Sequence, residues 1–415
     1  MDSPPFIRLD VVRRLLAAKA LRGFGDGFVS LLLPAYLLEL GWTAFEVGLV
    51  ATTTLLGSGL LTLAAGHLAQ RWGHRRLLLA ATGLMVATGL GVACVSSFWP
   101  LLVVAFAGTL NPSGGDTSVF MPVEHALLAQ SAQDRKRTPA FARYSLVGTL
   151  AAAAGALAAA LPSFAGERLG LAPLAAMQGM FVLYALLGLA TVPLYRGLPG
   201  HELPPEGERA PQLGPSRRRV YLLAALFSLD AFGGGFVVQS LLALWLYQRF
   251  GLALDTAAGI FFWTGVLTAA SYVVAARLAE RIGLVRTMVY THLPSSLCLI
   301  AMPFCSELVA AIGLLLVRSA LSQMDVPTRS SYVMAIVTPA ERPAAASLTS
   351  VPRSLAAACG PALAGWLLAV SPFGWPLVVG GVLKIVYDLL LLGMFQRVRP
   401  PEEVEAAPGR SRGAG

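Results

Sequence analysis

Charge is scarce in this chain. Charged residues make up 13% of its 415 positions, and three of its 31 basic residues are lysine: Lys19, Lys136 and Lys384. Soluble domains carry about 25% charged residues, so an ordinary water-solvated surface is excluded. Cysteine is sparse too. Cys94, Cys298, Cys305 and Cys359 all lie in apolar stretches, without CxxC spacing or a recurring histidine partner. That pattern argues against a metal or redox centre and reads as four small buried hydrophobes. No nucleophile–base pair, metal-ligand cluster or phosphate-binding glycine loop occurs. Neither an enzyme nor an ATPase is therefore expected, and no cofactor or metal is implied. A cleavable leader is not evident either. The first apolar segment carries Lys19, Arg22 and Asp26 and runs on to about Leu38, too long and too polar for one.

What is abundant is apolar length. Hydrophobic residues reach 56% and the mean hydropathy is +0.68, so the expected solvent is a lipid bilayer. A spanning helix needs about 20 mostly apolar residues. Twelve stretches qualify: 15–38, 47–69, 77–96, 99–119, 144–165, 177–195, 220–247, 257–279, 288–304, 308–334, 355–370 and 375–395. The net charge of +9 does not point to nucleic acid, because the basic residues sit in short clusters between those stretches. Alternate loops hold Arg71, Arg75 and Arg76, then Arg135, Lys136 and Arg137, then Arg217–Arg219, then Arg281 and Arg286, then Arg342. The opposite loops hold Arg168 and Arg249. The positive-inside rule then predicts that both termini are cytoplasmic. Residues 196–219 are rich in Pro, Gly, Glu and Arg and read as a cytoplasmic linker between a first unit (1–195) and a second (220–399). The polar tail 400–415 reads as disordered.

The two halves echo each other. Gly66-His67-Leu68-Ala69-Gln70-Arg71-Trp72-Gly73 closes the second stretch, and Ala276-Arg277-Leu278-Ala279-Glu280-Arg281-Ile282-Gly283 closes the eighth. Gly27-Phe28-Val29 matches Gly235-Phe236-Val237, while Arg137 and Gly155 fall opposite Arg342 and Gly360. Similar runs at the same topological position mark a duplicated six-helix unit. Six plus six helices, a central linker and this loop resemble the major facilitator superfamily. Its loop signature, Gly-x-Leu-Ala-Asp-Arg-x-Gly-Arg-Arg/Lys, is matched at Gly66, Leu68, Ala69, Arg71, Gly73 and Arg75. It is departed from at Gln70 and His74, and Glu280 keeps an acid in the second copy. The resemblance implies an all-α membrane fold of two pseudo-symmetric six-helix bundles, and a cytoplasmic gate built on Gly66, Gln70, Arg71, Gly73, Arg75, Glu280 and Arg281. Gln70 carries no charge and would hold a weaker latch than Asp. The Gly-Pro-x-x-Gly-Gly run of the superfamily's drug–proton antiporters is missing from helix five, where Gly155-Ala156 stands; a Gly-Pro pair occurs instead at Gly360-Pro361.

Charges at membrane depth cost about 2.5–3.5 kcal/mol each on insertion scales and mark pathways by default. Arg22 and Asp26 share a face of the first helix at i, i+4. Asn111-Pro112-Ser113-Gly114-Gly115-Asp116 loosens the fourth, with Glu124 beyond it nearer the cytosol. The seventh carries Asp230 and then Gly233-Gly234-Gly235. In the tenth, Arg318, Asp325 and Arg329 fall on one stripe of a continuous helix. The resemblance implies that helices one, four, seven and ten line the central path. Asp26, Asp116 and Glu124 are the proton-coupling candidates. Arg22, Asn111, Asp230, Arg318, Asp325 and Arg329 are the substrate-binding candidates, with Asp325 as internal counter-ion to Arg318 and Arg329. Three bland readings compete. Arg22–Asp26 is a structural salt bridge, Glu124 and Arg329 snorkel to the surface, and Lys384–Asp388 is a structural i, i+4 pair. His292 reads as a packed neutral histidine.

The expected function is alternating-access transport of a small solute, anionic or zwitterionic, coupled to protons and directed outward. The expected setting is a bacterial inner membrane, as a monomer in the lipid bilayer. Two alternatives stay open: an uncoupled facilitator, and a membrane sensor that kept the fold and lost transport.

Overall fold

The computed structural model describes residues 5–113, 118–131, 137–199, 214, 216–338 and 341–396. They form helices joined by short turns. In chain order these are α1 (Pro5–Glu39), α2 (Ala44–Trp72), α3 (His74–Cys94), α4 (Phe98–Ala107), α5 (Phe120–Ser131), α6 (Arg137–Ala158), α7 (Leu161–Leu169) and α8 (Pro173–Arg196). There follow α9 (Arg217–Gly235), α10 (Gln239–Phe250), α11 (Leu254–Ile282), α12 (Leu284–Ala301), α13 (Leu308–Leu321), α14 (Asp325–Ile336), α15 (Arg342–Val370) and α16 (Trp375–Phe395).

Eight spans among the described residues are long and apolar enough to cross a membrane. They run along α2, α3, α6, α8, α9–α10, α11, α15 and α16. The other four of the twelve expected spans are α1, α4–α5, α12 and α13–α14. These hold Arg22, Glu124, His292, Asp325 and Arg329, all buried. Deep charge also lies on two of the eight apolar spans, with Asp230 on α9 and Asp388 on α16.

Local signals account for the ends. Thr43 and Glu46 open α2 as a reciprocal capping box: the Thr43 amide donates to Glu46 Oε2 at 2.7 Å, and the Glu46 amide donates to Thr43 Oγ1 at 3.3 Å. The repeated loops turn on glycines in the left-handed region, Gly73 at φ 78° before α3 and Gly283 at φ 88° before α12. Both halves therefore use the same backbone device at the position where the sequence repeats.

The loosened runs become breaks. The α4 helix ends at Ala107 and α5 begins at Phe120; α9 ends at Gly235 and α10 begins at Gln239. Asn111 Oδ1 accepts from the Ser113 amide (3.1 Å) and hydroxyl (2.6 Å), an Asx-type turn that holds the first break. The Pro112 carbonyl accepts the Ser240 amide at 3.0 Å, so the freed backbone of one break satisfies the restart of the other. A third break was not anticipated. Helix α13 stops at Leu321 and α14 starts at Asp325, which overturns the expected continuous stripe through Arg318, Asp325 and Arg329.

Two compact units result. One comprises Met1–Glu206, Val237–Val266 and Ala358–Trp375, and the other Gly207–Phe236, Leu267–Ala357 and Pro376–Gly415. In the first, α1 packs along α6 and α3 along α8. In the second, an apolar core is built from Val220, Phe227, Met288, Tyr332, Tyr387 and Leu391, among others. The cysteines depart from expectation: Cys94 and Cys359 are exposed, and Cys298 and Cys305 half-buried. None of the four is buried in the core. The expected tail 400–415 and most of the linker lie outside the described residues.

Candidate functional site

In the first unit the deep charge gathers on Glu124, which is fully buried. Helix α5 carries it inward instead of toward a surface, so the snorkelling reading is overturned. Its Oε2 is met by the Arg22 guanidinium of α1 and the Tyr144 hydroxyl of α6. Its Oε1 accepts from Tyr195 of α8 at 2.7 Å. A buried carboxylate is tolerable when paired and hydrogen-bonded, and here three helices supply the donors. Arg22 also stacks its guanidinium 4.1 Å from the Phe120 ring centroid. Lys19, one turn earlier on α1 and also buried, lies 5.1 Å from the Tyr144 ring. Arg22 therefore has a tertiary carboxylate partner that the i, i+4 reading did not identify. Asp26, the next turn along, is half-buried.

The second unit holds a larger set. Asp230 of α9 is buried between two cations: Lys384 of α16 meets Oδ1 at 2.8 Å, and Arg329 of α14 meets Oδ2 at 3.0 Å. Arg329 also pairs with Asp325 one turn before it, at 3.2 Å. Of the two arginines expected to share Asp325 as counter-ion, Arg329 is the one that pairs with it. Arg329 is buried, so it does not snorkel either. The expected Lys384–Asp388 pair is not formed, because each residue takes a partner from another helix. Asp388, with no exposure, faces the His292 ring of α12, whose Nδ1 lies 3.0 Å from both carboxylate oxygens. His292 Nε2 stands 3.5 Å from Lys384 Nζ and 3.8 Å from Asp230 Oδ1. His292 is therefore a link in a charged chain rather than packing.

Arg318, on α13, is half-buried and makes no ion pair among the described residues, while its own backbone carbonyl accepts from Ser295 of α12. Asn111 is buried at the α4–α5 break. Asp116 lies outside the described residues, as do the side chains of Gln70 and Glu280 and the surroundings of Gly66. Of the remaining gate-loop residues, Arg71 and Arg281 are exposed and Gly73 and Arg75 half-buried.

The Major Facilitator Superfamily profile matches residues 15–323 and again 231–414. The chain belongs to the Major Facilitator Superfamily. The second match begins in α9, the first helix of the repeated half. The membrane protein YJR124C of Saccharomyces cerevisiae is 26% identical over 92% of this chain and 94% of its own length. The multidrug efflux protein YfmO of Bacillus subtilis is 26% identical over 89% of each chain. Among solved superfamily folds, a bacterial homologue of the human lysosomal transporter Spinster, inward-facing and occupied, superposes with a TM-score of 0.74 at 15% identity, over 96% of this chain and 99% of that one. The inward-open xylose transporter XylE of E. coli gives 0.72 at 14% identity, over 96% and 99%. This is a multi-pass membrane transporter fold of twelve helices in two pseudo-symmetric bundles. Of the four spans that the superfamily resemblance assigns to the central path, three are the broken ones: α4–α5, α9–α10 and α13–α14. The fourth is α1.

Proposed function

We propose that the chain is a secondary active transporter that exports a small anionic or zwitterionic solute in exchange for protons. One observation carries the substrate class. Arg329 and Lys384 are each committed to a buried carboxylate, whereas Arg318 has no such partner among the described residues. A guanidinium deep in a membrane helix needs an acceptor, and its planar fork suits a carboxylate or phosphate-like group. Asp26 is the preferred proton carrier of the first half, as a half-buried acid on α1, a helix that the superfamily resemblance assigns to the central path. The relation to the efflux protein YfmO supports the outward direction. The arginine bias of the loops supports cytoplasmic termini.

The test uses purified protein in liposomes with an imposed pH gradient. Arg318→Lys keeps the charge and loses the fork. It should weaken substrate binding by about 1–3 kcal/mol, the range for a lost charge-assisted bond, with normal membrane insertion. Asp26→Asn should abolish gradient-driven flux and leave exchange intact. Unchanged affinity in Arg318→Lys would remove the anionic substrate, and flux indifferent to the gradient in the wild type would remove proton coupling.

A further inference from the structure

The chain Asp388–His292–Lys384–Asp230 has a feature that a static salt bridge lacks: one of its links is an imidazole, whose two ring nitrogens can each carry or release a proton. Asp388 is fully buried, and its partner among the described residues is His292. With a neutral imidazole that pair carries one uncompensated negative charge in a dry setting, which is costly. With an imidazolium the pair is neutral. With Asp388 ionised, its two oxygens, each 3.0 Å from Nδ1, hold the ring proton there. The site of exchange is therefore Nε2, and Nε2 stands between a donor, Lys384 Nζ at 3.5 Å, and an acceptor, Asp230 Oδ1 at 3.8 Å.

We propose that His292 and Asp388 form a proton-binding site, and that its occupancy decides whether Lys384 or His292 holds Asp230. When Nε2 is bare, its lone pair accepts from Lys384, and the ammonium bridges His292 and Asp230. When a hydronium ion gives its proton to Nε2 and leaves as water, that lone pair is consumed. The new N–H repels the ammonium and turns to Asp230 Oδ1, competing with Lys384 for it. Proton release reverses the exchange. The tie between α9 and α16 is thereby made conditional on a proton.

Other charged groups face this site from the surrounding helices. Arg329 of α14 stays on Asp230 Oδ2 at 3.0 Å in either state, itself held by Asp325 at 3.2 Å. Arg353 of α15 acts at longer range, outside ion-pair distance. Tyr387 of α16 lies edge-on to the imidazole at 6.0 Å, its buried hydroxyl without a partner among the described residues. Arg318 of α13 lies against α12 through its carbonyl contact with Ser295. None of these occupies the Nε2 position.

The proposal rests on the proton-coupled reading above, so its test is separable from transport. The full-length protein, 15N-labelled at histidine, is placed in lipid nanodiscs and titrated from about pH 5 to 9, the range in which histidine switches. His292→Gln assigns the resonance. His292 should pass from a neutral ring protonated at Nδ1 to an imidazolium. Asp388→Asn and Lys384→Gln should displace that transition by about one pH unit or more, in opposite senses. A signal that never changes, or one that neither variant displaces, overturns the site. If Asp388→Asn does not fold, the Lys384→Gln displacement decides alone. A titrating His292 in a protein whose flux ignores the pH gradient overturns the proton-coupled reading and supports the site.

Discussion

Glu341 shows how one side chain ties distant backbone together. It sits in the turn between α14 and α15, where Oε1 accepts the amides of Gly214 (2.6 Å) and Ser216 (3.3 Å), and Oε2 accepts the amide (3.2 Å) and hydroxyl (2.8 Å) of Thr338. The first two belong to the end of the linker, just before α9. Its surroundings partly exclude water, which favours the neutral acid. The bonds from Thr338, Ser216 and Gly214 outweigh that and lower its pKa from 4.5 to about 2. A depressed carboxylate stabilises the fold fully above its unfolded pKa, and that contribution is lost as pH falls through the folded one. The tie should therefore persist at neutral pH and release as pH drops from about 4.5 towards 2. Amide hydrogen exchange at Gly214 and Ser216 should accelerate across that interval in the wild type, beyond the intrinsic pH effect. In Glu341→Gln it should be fast already at pH 7, and equal protection in the variant would remove the tie. Glu341 was not legible in the sequence, because it is one acid in a polar turn and its partners lie 125 and 127 residues away.

Elements approach each other where a side chain is missing. A Cβ on Gly155 of α6 would stand 1.9 Å from the Phe24 carbonyl of α1, and one on Gly27 would stand 2.0 Å from the Ala152 carbonyl. The two helices cross with their backbones in contact, which places Tyr144 of α6 beside Arg22 and Lys19 of α1. Gly155→Ala must push them apart, an overpacking effect of about 1–3 kcal/mol. Gly59 of α2 has open space around it, so Gly59→Ala should gain up to about 1 kcal/mol from helix propensity. Thermal unfolding in detergent should move in opposite directions for the two; a neutral Gly155→Ala would disprove the crossing. Twelve spans, the duplication and the breaks near Asn111 and Gly233 were legible in the sequence, because hydropathy and glycine act locally. The partners were not. Arg22 and Asp26, and Lys384 and Asp388, sit at i, i+4, and that spacing was a guide within one helix only. Lys384 instead reaches Asp230 because Gly233 lets α9 close on α16, where its Cβ would meet Leu383 and the Gly380 carbonyl at 3.1 Å. His292 is one imidazole among apolar and hydroxyl residues, and no periodicity shows what faces it.

At the scale of the whole molecule, the composition of the first unit identifies which surfaces would separate under the proposed transport cycle. Segments 237–266 and 358–375 of the repeated half pack into it with the first 206 residues. Gln239 donates to Ser30 at 2.9 Å, Tyr247 to the Leu31 carbonyl at 3.2 Å, and the Ala362 amide to Thr52 Oγ1 at 2.9 Å. A Cβ on Gly48 would lie 2.9 Å from the Gly365 Cα, so no water fits between those two residues. Thr52 lies about 30 Å along α2 from the Arg71 loop at 1.5 Å per residue, so the seal is at the helix ends remote from the arginine-rich turns. Alternating access requires that such a seal open once per cycle. The bond between Thr52 and Ala362 brings their side chains within the reach of a disulfide. With Cys94, Cys298, Cys305 and Cys359 replaced by serine, Thr52→Cys combined with Ala362→Cys should cross-link on oxidation. The oxidised protein should bind substrate from the arginine-rich side and carry none across, and a reducing agent should restore flux. Undiminished transport by fully cross-linked protein would show that this seam stays shut throughout the cycle, and that the path for the solute lies elsewhere.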